Sequence, residues 1–358
     1  MKDTLPRTEK MAATSAKKSA KKSAKKSAAA HGASERLSRL SKLLSERLST
    51  RRFVKSVNSR TWGPSLLVTG RVLAHPWEYV VRRRAARRIL THTPALTIDD
   101  AAGFVSFNTS RLREAAAVRD LCHRIYEERR DRVVQPAGGK IKKADYLVEL
   151  LTDDDLIRYP QLVDFCLSPF VVEAVARYLG TLPVLRRVGL LLSLPAPVDA
   201  DSRLFHLDPE DSRQVKIFIN VGDVHQSQGP FTFLPGDRST NILERIREND
   251  KKAGKPGLRI RRWTDDEVYA QCKPSDFIQL TGPAGSGVFV DTSRCLHFGS
   301  RLEPGTHRLV FMAQYLRYHF AFPTDANRLE AAAAGRDVLQ SRLLVQRPGP
   351  TPFNAVTA

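Results

Sequence analysis

Residues 204–209 read Leu204-Phe205-His206-Leu207-Asp208-Pro209, and farther along residues 295–299 read Cys295-Leu296-His297-Phe298-Gly299. In the first stretch His206 and Asp208 stand at positions i and i+2. Side chains of a β-strand alternate between faces, so both point the same way. Two groups that chelate one ion need that arrangement. Pro209 then ends regular pairing, which places the pair at a strand end beside a loop. A lone His-x-Asp is a weak signal, because most such pairs sit on a solvated surface. His297 lies between apolar neighbours, where a satisfied core histidine is the ordinary reading. Taken together, two histidines and one carboxylate form the facial set that suits iron(II) and leaves coordination positions open.

Arg308 stands eleven residues beyond His297. A strand over 307–316 carries Arg308, Val310, Met312 and Gln314 on one face. An arginine pointing into a barrel is costly to bury. It becomes reasonable when it pairs bidentately with a carboxylate; otherwise it is a surface arginine at a strand start. Gly299 shares strand parity with His297 and would leave space beside an ion. Cys295 would share that face too, and reads as a small packing thiol rather than a fourth ligand.

Outward from these motifs, short β-rich runs at 184–194, 214–221, 231–234, 276–280, 287–291 and 307–316 are separated by Gly, Pro, Asp and Ser. Many short strands with turn signals favour a sandwich or barrel over alternating βαβ units. Helical patterns occupy 109–131 and 160–179. The latter starts near Pro160, is interrupted at Ser168-Pro169 and stops at Gly180. A charged, partly helical insertion at 239–272 is either a lid over the barrel or inert decoration.

The chain has 358 residues and a formal net charge of +20. Residues 1–90 hold 23 Lys+Arg and 5 Asp+Glu, a net of +18, so the rest is nearly neutral. The expected organisation is a disordered Lys/Ser/Ala-rich tail (1–34), a basic amphipathic helical extension (35–95), a β-rich domain holding the candidate ligands (96–330) and a C-terminal helix and tail (331–358). Within the tail the KKSA repeat cannot offset the entropy of ordering. Residues 1–90 are either a non-specific polyanion tether, to nucleic acid or an anionic membrane surface, or a solubility tail. No run is long and apolar enough for a transmembrane segment, and the first thirty residues lack the apolar core of a secretory signal. Four scattered cysteines without a CxxC pair fit reduced thiols and a cytoplasmic setting. There is no G-x-S-x-G elbow and no phosphate-binding G-x-x-x-x-G-K-[ST] loop, which sets serine hydrolases and P-loop enzymes aside.

The run from Arg203 to Arg238 contains the His206-Leu207-Asp208 triplet and Gly229-Pro230-Phe231-Thr232-Phe233-Leu234-Pro235-Gly236. With His297 and Arg308 following in order, it resembles the phytanoyl-CoA dioxygenase family of iron(II)- and 2-oxoglutarate-dependent oxygenases. The resemblance covers roughly residues 97–320. It departs at Asp237-Arg238, where the family usually has Ser/Thr-His, and this touches any substrate contact made from that turn. The resemblance implies a double-stranded β-helix, the jelly-roll barrel of cupin-like enzymes, with helices outside. It implies that His206, Asp208 and His297 bind iron and that Arg308 holds the distal carboxylate of 2-oxoglutarate. Phe218 matches an aromatic position lining the co-substrate pocket, and core packing explains it equally well. The implied reaction is hydroxylation of a small-molecule or lipid-like substrate with release of succinate and CO2, since Asp208 stands where related halogenases have Ala or Gly. The alternative is a catalytically silent jelly-roll binding or scaffold module, tethered by its basic N-terminus.

Overall fold

Short runs of β-branched and aromatic residues between turn residues fold into eleven strands among the described residues. They are β1 (Phe104–Asn108), β2 (Leu147–Glu149), β3 (Pro183–Ser193), β4 (Phe205–His206), β5 (Gln214–Asn220), β6 (Thr232–Phe233), β7 (Arg262–Trp263), β8 (Ile278–Gln279), β9 (Ser286–Val290), β10 (His297–Phe298) and β11 (Arg308–Arg317). The computed structural model describes residues 69–344 apart from 71, 74, 91–93, 112, 134–141, 197–200, 255–261, 320–328 and 330. The expected tail (1–34), the first part of the expected basic helical extension (35–68) and the end of the chain from 345 lie outside the described residues.

The strands make two sheets, ordered β1-β9-β5-β11-β3-β2 and β7-β4-β10-β6-β8. Pairing is antiparallel within both. Strands β3, β5, β9 and β11 belong to the larger sheet, while β4, β6 and β10 between them belong to the smaller. The chain therefore steps back and forth between two facing layers, which is the jelly-roll, double-stranded β-helix arrangement. The sheets stay open and do not join edge to edge as a closed barrel.

Alternation decides what each face does. On β11, Leu309, Phe311, Ala313 and Tyr315 enter the main core with Val215, Ile217 and Ile219 of β5. Full burial of each large apolar side chain there is worth roughly 1.5–3 kcal/mol. That surface is covered by helices α2 (Arg113–Arg129), α5 (Pro160–Cys166) and α6 (Pro169–Leu179). The break expected at Ser168-Pro169 separates α5 from α6, because proline fits the first helical turn and not an interior. Gly180 closes α6 at φ 69, the left-handed cap. Before them, α3 (Lys143–Tyr146) precedes β2, and α4 (Asp153–Arg158) starts on a Thr152–Asp155 capping box.

The earliest helix, α1 (Pro76–Ile89), buries Arg82 and Ala86. Arg82 donates to the carbonyls of Leu182, Pro183 and Arg342, so α1 is fixed to the start of β3 and to α9 (Val338–Leu344). On the other side of the molecule, α7 (Gly236–Lys252) buries Ile242, Leu243 and Ile246 against Phe205, Leu234, Trp263 and Phe298. The described part of the 239–272 insertion thus backs the outer face of the smaller sheet. Its β7 extends that sheet's edge and leads into α8 (Asp265–Tyr269). No helix among the described residues is long and apolar enough to cross a membrane.

Candidate metal centre

Strands β4 and β10 are only two residues long, and their register places His206 directly opposite His297. Directly opposed residues of an antiparallel pair project from the same face, here toward the larger sheet. Phe205 and Phe298 take the other face and enter the core beneath α7. One alternation therefore turns the phenylalanines outward and both imidazoles inward, with ring centroids 4.1 Å apart. Asp208 follows β4 and is anchored through its backbone N–H, which donates to the Thr292 carbonyl at 2.8 Å. The 291–295 turn is itself held by the buried Asp291 carboxylate, which accepts from the Tyr178 hydroxyl at 2.7 Å and from Ser293.

His206 Nε2 lies 3.9 Å from Asp208 Oδ1, and His297 Nε2 lies 3.8 Å from Asp208 Oδ2. A divalent transition ion sits about 2.0–2.2 Å from nitrogen and oxygen ligands, so two ligands of one ion stand at most about 4.4 Å apart. Both separations fall inside that limit. Among the described residues these three are the group whose ligand atoms can share an ion. The tautomers also fit. His206 Nδ1–H donates to the Leu204 carbonyl at 2.8 Å, and His297 Nδ1–H to the Cys295 carbonyl at 2.9 Å. Each ring therefore directs the lone pair of Nε2 at the shared space, with its orientation fixed by the backbone.

Electrostatics keep the rings neutral. Burial pushes the His206 imidazolium pKa well below its ordinary value, and the neighbouring His297 pushes it further. His297 is also lowered, mainly by burial. Burial alone would raise Asp208, but the Lys216 ammonium and the two imidazoles overcome it and hold the carboxyl below the usual range. Neutral imidazoles and an ionised carboxylate are the ligand forms a divalent cation requires.

Lys216 is the residue that sequence reasoning missed. Its Nζ donates to Asp208 Oδ2 at 2.6 Å. The available signal was its place in Gln214-Val215-Lys216-Ile217-Phe218, where parity puts it on the same face as Phe218. Phe218 itself packs at a tilt against Phe231 with centroids 4.4 Å apart, and Phe231 in turn lies 5.4 Å from His297. Phe231, not Phe218, is the aromatic ring beside the imidazole. Cys295 lies in the turn before β10, where its thiol donates to the Ala102 carbonyl at 3.4 Å. Arg238, beyond the Pro235-Gly236 turn, makes a surface ion pair with Asp276 at 3.6 Å.

Arg308 opens β11 opposite Ser193 of β3 and is 7% exposed. Nη1 donates to the Gly229 carbonyl, while Nη2 reaches Ser193 Oγ and Ser300 Oγ only at 3.4 Å. Nε has no partner. Burial, with no opposing carboxylate, lowers the guanidinium to about 10. Two backbone features shape this pocket. Gly229 takes φ +57 with the Arg301 backbone 2.7 Å from where a Cβ would stand, so only glycine fits. Ser300 holds φ 60 without being glycine, at a cost of about 1–2 kcal/mol. In return its hydroxyl meets Ser193 Oγ at 3.0 Å beside the guanidinium. The space at Gly299 also borders Arg308, whose Nη2 lies 3.5 Å from a Cβ built there.

No protein-family model matches the chain, and no curated protein matches it. Solved structures with which it shares likeness include the epimerase SnoN in complex with Fe3+, alpha ketoglutarate and nogalamycin RO (15% identity, 71% of this chain, 93% of that chain, TM-score 0.40). Another is EctD from S. alaskensis with bound Fe (13% identity, 64% and 80% covered, TM-score 0.42). A third is HygX from Streptomyces hygroscopicus with nickel and 2-oxoglutarate bound (14% identity, 63% and 88% covered, TM-score 0.36). At such low identity and superposition, what this chain does has to be argued from its own residues.

Proposed function

We propose that this protein is an iron(II)- and 2-oxoglutarate-dependent oxygenase, of the phytanoyl-CoA dioxygenase type, that hydroxylates a small-molecule or lipid-like substrate. The observation that carries the reading is the convergence of His206 Nε2, His297 Nε2 and the Asp208 carboxylate, with both Nδ1–H groups already committed to backbone carbonyls. With iron(II) bound, 2-oxoglutarate and O2 supply the oxidising chemistry: one oxygen atom goes to succinate as CO2 leaves, and the other goes to the substrate.

The remaining roles belong to the chain's own side chains. His206, Asp208 and His297 hold the ion on one face and leave positions open. Arg308 binds the distal carboxylate of 2-oxoglutarate, because its unpartnered Nε and loosely held Nη2 are donors without an anion. Ser193 and Ser300 orient that guanidinium. Phe231, Phe233 and Phe218 fill the space behind His297 and exclude water. Asp208 occupies the position that would have to be small to admit halide, which supports hydroxylation.

One observation favours the silent binding module: the Lys216 ammonium already sits on a ligand carboxylate. Oδ1 lies nearer His206, and Oδ2, which Lys216 holds, lies nearer His297, so an ion at the centre would share the carboxylate with the lysine. Succinate formation from 2-oxoglutarate under air with added iron(II) tests the proposal. Slow turnover in the wild type that vanishes in His206→Ala is expected. Absence of both turnover and iron binding would leave the silent module standing.

A further inference from the structure

Helix α1 shows two faces of opposite character. Arg82 and Ala86 point into the body, where Arg82 pairs with Glu78 at 2.7 Å and stacks over Tyr318 at 4.3 Å. At 100° per residue the opposite side carries Trp77, Val80, Arg84, Arg87 and Arg88, all exposed. Trp77 is 68% exposed, and Leu73, four residues earlier, is 74% exposed. Between α1 and α9 runs a groove of about 450 Å³ whose floor is Val81, Ala85, Ile89 and Leu339, with Arg84, Arg88 and Arg342 along it. Val338, 73% exposed, stands at its α9 side.

We propose that this face docks on an anionic lipid bilayer, with Trp77, Val80, Leu73 and Val338 entering the headgroup boundary and Arg84, Arg87 and Arg88 binding lipid phosphates. An exposed tryptophan with exposed aliphatic side chains and cations nearby is the composition that partitions into an interface. The outward side of α1 has no acid to repel the surface, since Glu78 faces inward to Arg82. Asp337, beside Val338, is engaged in accepting the Gln340 N–H. The Arg82 hub holds the helix rigidly, so presenting its outer face costs no ordering. Residues 1–68 add 17 basic and 4 acidic groups just upstream, which raises attraction to the same sign of surface. Nucleic acid is the weaker fit. Phosphates would satisfy the arginines, but nothing in a duplex or strand rewards exposing Leu73, Val80 and Val338.

The inference is independent of the metal centre. The full-length chain is tested by co-sedimentation with phosphatidylcholine vesicles, with and without phosphatidylserine, and by quenching of tryptophan fluorescence with brominated lipid. All substitutions lie at exposed positions, and circular dichroism checks that each variant keeps the wild-type fold. Binding only to the anionic vesicles is expected, with quenching that disappears in Trp77→Phe. Trp77→Ser with Val338→Ser, and separately Arg84→Glu with Arg88→Glu, should each weaken binding roughly tenfold or more. The proposal is overturned if vesicles do not bind. It is equally overturned if the Trp77/Val338 variant binds as the wild type does, or if single-stranded RNA binds as tightly and shows the same loss in the Arg84/Arg88 variant alone. Those results would assign the attraction to upstream charge or to nucleic acid.

Discussion

Arg82 and Arg308 are both almost fully buried, and burial lowers each guanidinium to about 10. Their surroundings diverge from there. Arg82 has the Glu78 carboxylate, three backbone carbonyls and the Tyr318 ring. Arg308 has one carbonyl, two long serine contacts and an Nε with no partner. A buried charge is tolerated when it is paired and hydrogen-bonded, and is costly otherwise. The first arginine is therefore a fastener that holds α1 to the body. The second keeps unused donors at a buried site, which is what the proposed binding of a carboxylate there requires.

Breaking the fastener should give the largest effect on stability. Arg82→Met removes the closer of the two cations on Glu78, leaving Arg342 at 3.6 Å, together with the buried donor to three carbonyls, and should destabilise the fold by about 3 kcal/mol. Urea unfolding at neutral pH measures this. A loss below about 1 kcal/mol would erase the distinction between the two arginines.

Arg129 extends the comparison, because it pairs bidentately with Asp155 at 2.6 and 2.7 Å. The Arg129 hydrogen bonds hold the Asp155 carboxyl well below the usual range against the opposing effect of burial, helped by Thr152. As pH falls, the unfolded chain takes up this proton first, near its ordinary pKa of about 4. The pair's stabilisation is thus fully present above about pH 4 and lost below it as the folded carboxyl protonates. Arg129→Met should cost about 2 kcal/mol at pH 7, with a gap to wild type that narrows as pH drops toward 2.5. A constant gap across that range would contradict the assignment.

The smallest stability change belongs to Arg308→Met. Removing a buried charge that has no carboxylate partner should move stability by no more than about 1 kcal/mol in either direction, and a methionine of similar length can even stabilise. A loss of 3 kcal/mol would show that Arg308 is a fastener after all.

Much of the centre was legible because strand parity is a rigid rule. Spacing brought His206 and Asp208 together as read, although β4 ends at His206 and the backbone N–H of Asp208 is held by the Thr292 carbonyl; Arg308, Val310, Met312 and Gln314 alternate with the core-facing residues of β11. The β-runs near 184, 214, 287 and 307 begin within a residue or two of the observed strands. What escaped were facts of register between distant segments. That His297 lies opposite His206 depends on which strands become neighbours, and nothing local encodes it. Lys216 reaches Asp208 because β5 belongs to the sheet facing β4, so its parity was readable but its target was not. Strands as short as β4, β7 and β10 leave no periodicity to detect. Nothing local marks Arg82 as a fastener, since the carbonyls it holds lie about a hundred or more positions away.

The proposed function requires that the His206–Asp208–His297 centre and Arg308 together bind iron(II) and 2-oxoglutarate. Anaerobic titration calorimetry tests it directly, with 2-oxoglutarate added to wild type, Arg308→Met and His206→Ala, each preincubated with iron(II). The wild type should bind one 2-oxoglutarate per chain, and only when metal is present. Arg308→Met should keep its metal and bind the diacid roughly a hundredfold more weakly, as loss of a charge-assisted pair requires. His206→Ala should lose the metal and with it the co-substrate. A wild-type protein that binds neither iron nor 2-oxoglutarate, or an Arg308→Met variant of unchanged affinity, would contradict the account.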